Sequence, residues 1–292
     1  EGKGEGLGEE QPAFLPFPAT PPGECVNILV IGDVVGSAGR GILKKALPRL
    51  FEKHDIDYCI ANAENAAGGF GVTRGVCDEL LEAGVDCLTS GNHIWDKKEI
   101  IGVIDAIPQL IRPLNYPQGQ PGRGTHVGKG KKSGIPVATL NLSCRVFMHG
   151  SLDDPFRMGL DAVQRLRNEA EIVIVDVHGE ASSEKVALGH YFDGNLTAVL
   201  GTHPHVPTCD HWVLPKGTAY CTDLGMTGPY DSVIGVEKEA VLQRFLTGMR
   251  TRFETASGDP RFAAAVVEAD PETGRAKSID RMLLTLGEVK AL

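Results

Sequence analysis

The chain has 292 residues, 42% hydrophobic and 23% charged, the balance of a globular protein large enough to bury a core without disulfides or a structural metal. No apolar run approaches the ~20 residues that span a bilayer, which argues against a membrane protein. The formal charge of −9 excludes a global attraction for duplex DNA or anionic lipid, so a phosphate-bearing substrate needs a local positive centre, most simply a bound cation.

Residues 1–25 are rich in Gly, Pro and Glu and are expected to be a leader, either disordered or a cloning remnant. From Val26 to residue 292 the pattern alternates strand and helix, as in one α/β domain. VNILVIG (26–32) reads as a buried strand, and AGRGILKKALPRLFEKH (38–54) as a helix interrupted by Pro48. DYCIAN (57–62) and VDCLTS (85–90) are strands, separated by a helix over 73–84; a further helix is predicted over 96–106. The Pro- and Gly-rich stretch to residue 134 reads as loops and a hairpin. Then come a strand (135–143), a helix (154–170), a strong strand EIVIVDVH (171–178), a helix over 182–194 capped by Ser182 or Ser183, and a strand LTAVLGTH (196–203). Two short runs (211–214 and 217–222), a helix over 237–248 and a hairpin over 261–286 end the chain. The strands are expected to form a central sheet. Seven cysteines, an odd count without a CxxC pair, read as free thiols of a reducing cytoplasm.

Chemistry concentrates where strands end. The five strand tips carry Asp33; Glu64 and Asn65; Asn92 and His93; His178 with Glu180; and His203 and His205. Each alone is an acceptable turn or cap residue. Ligands of open α/β sheets gather outside the carboxyl ends of strands, so the five tips are expected to converge. In an extended segment, His203 and His205 project to the same side. Asp33 and Glu64, two amides and four imidazoles, without a thiolate, suit Mn, Fe or Zn, and they are too many for one tetrahedral ion. Divided between two ions with a shared carboxylate, they match the two-metal arrangement that cleaves phosphate esters.

The series GD, NAEN, GNH, strand-His and GTHPH resembles the calcineurin-like metallophosphoesterase superfamily. Within it, GDVVGSAGR (32–40), NAENAAGGFG (62–71), GNHIWD (91–96), HGEASSEK (178–185), GTHPHVPTCD (201–210) and DLGMTGP (223–229) resemble the YmdB-like bacterial phosphodiesterases. The usual His two places after the first Asp is Val35 here, and the usual bridging Asp is Glu64, both typical of that branch. The resemblance implies a four-layer α/β/β/α sandwich in a single metallophosphoesterase domain over 26–292. It also implies two divalent or mixed-valence ions, Fe or Mn before Zn: one on Asp33, Glu64, His205 and Asn65, the other on Glu64, Asn92, His178 and His203. A metal-bridging hydroxide would attack phosphorus, with His93, free of metal, as general acid. The expected substrate is a small cyclic nucleotide (2′,3′- or 3′,5′-cyclic) or related phosphodiester, and a homo-oligomer is suggested.

Other readings have less support. The glycines at 36, 39 and 41 run GxxGxG, not GxGxxG, and no P-loop occurs. A phosphomonoesterase on the same metals, or a nucleotide- or RNA-binding regulator with little turnover, are the alternatives. Gly68, Gly69 and Gly71 suit a close backbone approach to phosphate or an ordinary loop. Arg40 reads as helix surface or a phosphate contact. Glu180 and Ser183 read as partners of His178 or a helix cap, and Asp96 as an exposed helix start.

Overall fold

The first strand, β1 (Val26–Ile31), is buried on both faces, and its residues divide by the period of two that every strand imposes. Val26, Ile28 and Val30 enter one core; Leu29 and Ile31 enter another. The computed structural model describes residues 25–292, and residues 1–24 of the expected leader lie outside them. After β1 come β2 (Asp33–Val34), α1 (Gly36–Lys53), β3 (Tyr58–Asn62), α2 (Arg74–Glu82), β4 (Cys87–Thr89) and α3 (Glu99–Val103), which passes into a 3-10 turn at Ile104–Ala106. The middle of the chain forms β5 (Thr125–Lys129), β6 (Pro136–Ser143), α4 (Pro155–Leu166), β7 (Ile172–His178), α5 (Ser182–Phe192) and β8 (Ala198–Thr202). Last are β9 (Trp212–Val213), β10 (Ala219–Cys221), β11 (Met226–Pro229), α6 (Lys238–Thr247), β12 (Pro260–Ala269), β13 (Ala276–Thr285) and α7 (Leu286–Ala291).

These strands make two sheets, as the family resemblance implies, and not the one central sheet that the strand–helix alternation alone suggests. The first has seven strands in the order β2-β11-β12-β1-β3-β4, with β13 against β12; the second has six, β5-β6-β7-β8-β10-β9. Ile28, Val30 and Ile60 of the first sheet face Ile172, Ile174 and Leu200 of the second in a shared core. Helix α1 covers the outer face of the first sheet through Ile42, Leu43, Leu47 and Leu50. Helices α4 and α5 cover the second through Val163, Leu166, Leu188 and Phe192, packed on Val173, Val175 and Val177. The result is the four-layer α/β/β/α sandwich. A strand buried on both faces reads as a continuous apolar run whether a helix or a sheet covers it, so periodicity alone does not count the sheets.

Smaller corrections have local causes. Helix α1 continues through Pro48, which lies on its exposed face, where the carbonyl that loses its partner can meet water. The helix expected over 96–106 starts only at Glu99, because Asp96 N–H turns back to the His93 carbonyl at 3.0 Å. Neither serine caps α5: its N-cap is Ala181 without a side-chain bond, and Ser182 and Ser183 are exposed helix residues. Strands β2 and β11 and helix α7 are too short for a periodic signal.

In the first sheet β3 runs parallel to β1 and β4 to β3; in the second, β7 runs parallel to β6 and β8 to β7. Each parallel set therefore delivers its carboxyl ends to one edge. The inter-sheet core is the element this arrangement needs most. Truncating Ile174, 1% exposed between the sheets, to Ala is expected to cost ~2–5 kcal/mol. Urea denaturation reads it, and an unchanged midpoint would contradict the packing described.

Candidate metal centre

All five tips meet. His178, at the end of β7 and fully buried, has Nε2 at 2.9 Å from Asn92 Oδ1, 3.2 Å from Glu64 Oε1 and 3.2 Å from His203 Nδ1. One ring nitrogen cannot donate to three acceptors, whereas a cation accepts lone pairs from all of them. Glu64, His178 and His203 each place a ligand atom within 4.8 Å of the others. Beside this group, His205 Nε2 lies 3.9 Å from Asp33 Oδ1 and 3.2 Å from the Asn65 amide nitrogen, which is 3.0 Å from Glu64 Oε1. Asp33 is fully buried, and its Oδ1 has no hydrogen-bond partner among the described residues. An orphaned buried carboxylate oxygen is costly unless an ion completes it. The donor set thus fits divalent ions, as two adjacent groups that share Glu64.

Local structure explains the convergence. Asp33 follows Gly32, where a Cβ would fall 2.0 Å from the Gly225 carbonyl oxygen, so β2 can lie against β11 only with glycine there. In GNH, a Cβ at Gly91 would fall 2.2 Å from the His178 ring and 2.5 Å from Glu64 Oε2. His203 and His205 do not lie in an extended segment: their φ values are 107° and 66°. Left-handed backbone at two non-glycine residues is a strained conformation, and here it turns the two rings to different parts of one cluster. His203 meets the Glu64–His178 group, and His205 meets Asp33 and Asn65.

A second set of side chains holds the first in place. Thr202 Oγ1 is 2.9 Å from His178 Nδ1 and donates to Asp176 Oδ1 at 2.6 Å, while Asn62 Nδ2 donates to Asp176 Oδ2 at 3.0 Å. That chain puts a proton on Nδ1 and leaves Nε2 for the cluster. Sequence reasoning gave Thr202 and Asp176 no role. The signal for Asp176 was present, since it stands two residues before His178 and so points to the same face of β7. Glu180 is not a partner of His178; its carboxylate lies 3.2 Å from His203 Nε2. Asp96 accepts from His93 Nδ1 at 2.8 Å and is more than an exposed helix start. The His93 backbone N–H donates to Glu64 Oε2 at 3.0 Å, which seats His93 at the cluster's edge with its side chain outside the group of converging ligand atoms. Arg40 binds Glu79 and the Ala66 carbonyl and so braces the loop after Glu64. Buried Lys185 donates to the Thr202 carbonyl at 2.8 Å and faces buried Asp223 at 3.6 Å.

Without an ion, burial and the mutual charges of the cluster set its protonation. Burial pushes Asp33 well above the usual carboxylate range. Glu64 stays low, at about 2, because the His178 charge outweighs the cost of burial. Burial opposes protonation of His178, but Glu64, Asp33 and Asp176 override it and raise His178 to about 9. His203 is driven down to about 3 by burial and by His178, and burial also lowers His205, so both keep free lone pairs at neutral pH. A cation bound to His178 Nε2 at neutral pH would therefore displace a proton from it. Calorimetric titration with Mn²⁺ at about pH 7.5, in two buffers of different ionisation enthalpy, is expected to show net proton release; no release would contradict this description. Gly91→Ala is expected to lower the metal content per chain by elemental analysis, and unchanged content would contradict the Gly91 packing.

A family model described as "YmdB-like protein" matches residues 29–282. A 2′,3′-cyclic-nucleotide 2′-phosphodiesterase of Bacillus subtilis (strain 168) is 45% identical over 260 residues, which cover 89% of this chain and 97% of that protein. The crystal structure of a hypothetical protein from Thermus thermophilus matches with a TM-score of 0.80 at 44% identity, covering 89% of this chain and 99% of that one. That of a novel phosphatase from Mycoplasma pneumoniae matches with a TM-score of 0.84 at 34% identity, covering 90% and 94%. The chain belongs to the YmdB-like protein family.

Proposed function

We propose that the protein opens 2′,3′-cyclic nucleotides by hydrolysis of one phosphodiester bond, at two metal ions. Asp33, Asn65 and His205 would hold one ion and Asn92, His178 and His203 the other, with Glu64 shared. The observation that carries the reading is the convergence of lone pairs on His178 Nε2 beside the unpartnered Asp33 Oδ1. The Bacillus subtilis relative is named for this reaction, and the match runs through nearly its whole length. The ions, when bound, supply an activated water at neutral pH and positive charge against the phosphoryl oxygens. Nitrogen and oxygen donors without thiolate favour Fe or Mn, with Zn also accommodated.

The chain's own residues do the rest. The cluster opens into a cavity of about 380 Å³. His93 lines it, with Nδ1 tied to Asp96 and Nε2 left for the substrate. As a water oxygen bonds to phosphorus and the bond between phosphorus and O2′ breaks, His93 Nε2 gives its proton to O2′, and the product leaves as the nucleoside 3′-phosphate. No Lys or Arg lines the cavity among the described residues, and Glu180 adds a carboxylate to its wall. A dianionic monoester meets no basic side chain there, whereas a monoanionic diester needs fewer. This favours the diester over the phosphomonoesterase reading. Seven free cysteines, five of them buried, suit a reducing compartment, and we assign the protein to the cytoplasm.

Two measurements test the reading. Metal-loaded protein is expected to convert 2′,3′-cyclic AMP to 3′-AMP faster than it releases phosphate from 3′-AMP; the reverse order would leave the centre but replace the substrate class. His93→Ala is expected to lower turnover by ~10²–10⁴-fold at unchanged metal content. Loss of metal in that variant would move His93 into the ligand set.

A further inference from the structure

The cavity presents apolar side chains where charge would be expected. Three of the protein's exposed large hydrophobics, Phe70, Val206 and Ile234, line it at 37%, 56% and 53% exposure. Phe70 and Ile234 both sit on turns held by hydrogen bonds. Phe70 rides on a turn that leaves the cluster directly after Asn65: Gly69 N–H donates to the Asn65 carbonyl at 3.2 Å, and Ala67 N–H donates to the Gly71 carbonyl at 3.0 Å. Thr255 Oγ1 donates to the Gly68 carbonyl at 2.8 Å. Gly69 and Gly71 have φ of 92° and 75°, and a Cβ at either would strike Thr255 or Lys97. A pinned turn that leaves a phenyl ring partly in solvent is costly unless something covers the ring. The Phe70 ring stands at 65° to the His93 ring with centroids 5.2 Å apart, so it borders the general acid without closing the cavity.

Ile234 supplies a second sign of a built wall. It is β-branched yet has φ of 46°, a conformation such residues almost never take. Its carbonyl accepts from His205 Nδ1 at 2.9 Å, so the strained residue both steadies a cluster histidine and presents its side chain to the cavity. The exposed apolar side chains, the lack of Lys and Arg in the lining among the described residues, and the adjoining reaction centre together suit a ligand with an aromatic plane attached to a singly charged phosphate.

We propose that Phe70 is a stacking platform for the nucleobase, and that this apolar wall, rather than phosphate charge, selects the substrate. The proposal rests on the cyclic-nucleotide reading above and adds the group that recognises the base. Stacking is tolerant of base identity, because every base has a π face, so the preference is for a base over none, with purines ahead of pyrimidines.

The test compares 2′,3′-cyclic AMP with glycerol 1,2-cyclic phosphate, which has the same five-membered diester but no base. Base–aromatic stacking is worth ~1–3 kcal/mol, or ~5- to ~150-fold. Phe70→Ala is expected to lower the ratio of the two kcat/KM values by that factor, mainly through KM for the nucleotide, and Phe70→Trp is expected to keep it. An unchanged ratio overturns the platform. An equal fall on both substrates, through kcat, makes Phe70 only a support for His93 and also overturns it. Binding of 3′-AMP to metal-loaded protein by calorimetry separates this proposal from the reaction. Weaker binding by the same factor in Phe70→Ala supports the platform even if neither diester is turned over, a result that would count against the proposed reaction instead. Equal Kd values in the two proteins overturn the platform while leaving that reaction standing.

Discussion

Around His178 Nε2, three acceptors from three other strand ends stand about 3 Å away, and Asp33 Oδ1 is sealed in beside them without a donor. Packing so many lone pairs in a buried place is unfavourable by any protein contact alone. Much of the rest of the structure follows from holding them there. Parallel strands in two sheets bring their carboxyl ends to one edge. Glycines at 32 and 91 let backbone and ligands approach within distances that a Cβ forbids. His203 and His205 accept left-handed backbone so that their rings divide between two groups.

The buried charges below the cluster belong to the same constraint. Lys185 and Asp223 face each other beneath the Thr202 carbonyl, and Thr202 carries the hydrogen bond that orients His178. Removing either charge would strand the other and loosen the end of β8, from which His203 departs. Asp176 is buried too and receives three side-chain donors, from Thr89, Asn62 and Thr202. Its network is fully engaged, as a buried carboxylate requires, while that of Asp33 is open. The contrast between the two aspartates separates one that orients His178 from one left open toward the cluster.

Much of this was legible in the sequence. Strand runs ending in Asp33, Glu64, Asn92, His178 and His203 announced the convergence, because polar ligand-type residues directly after buried strands have one edge to occupy. Less was legible where backbone, not residue type, decides. The HPH segment reads as extended in a linear sequence, and its strain at His203 and His205 has no composition signal. The number of sheets is hidden by strands buried on both faces. Asp96 and Glu180 carry charges that look solvated in a linear reading, and only the fold brings them to His93 and His203. Phe70 is hidden in a glycine-rich loop, since an apolar residue beside glycines reads as a turn until the cavity around it is seen.

The central claim is that the converging side chains form a dinuclear centre. Anomalous diffraction from crystals loaded with Mn²⁺ tests it directly. Two peaks are expected roughly 3.5–4 Å apart, one bordered by Asp33, Asn65 and His205 and one by Asn92, His178 and His203, with Glu64 touching both. A single peak, or strong peaks away from these residues, would contradict it.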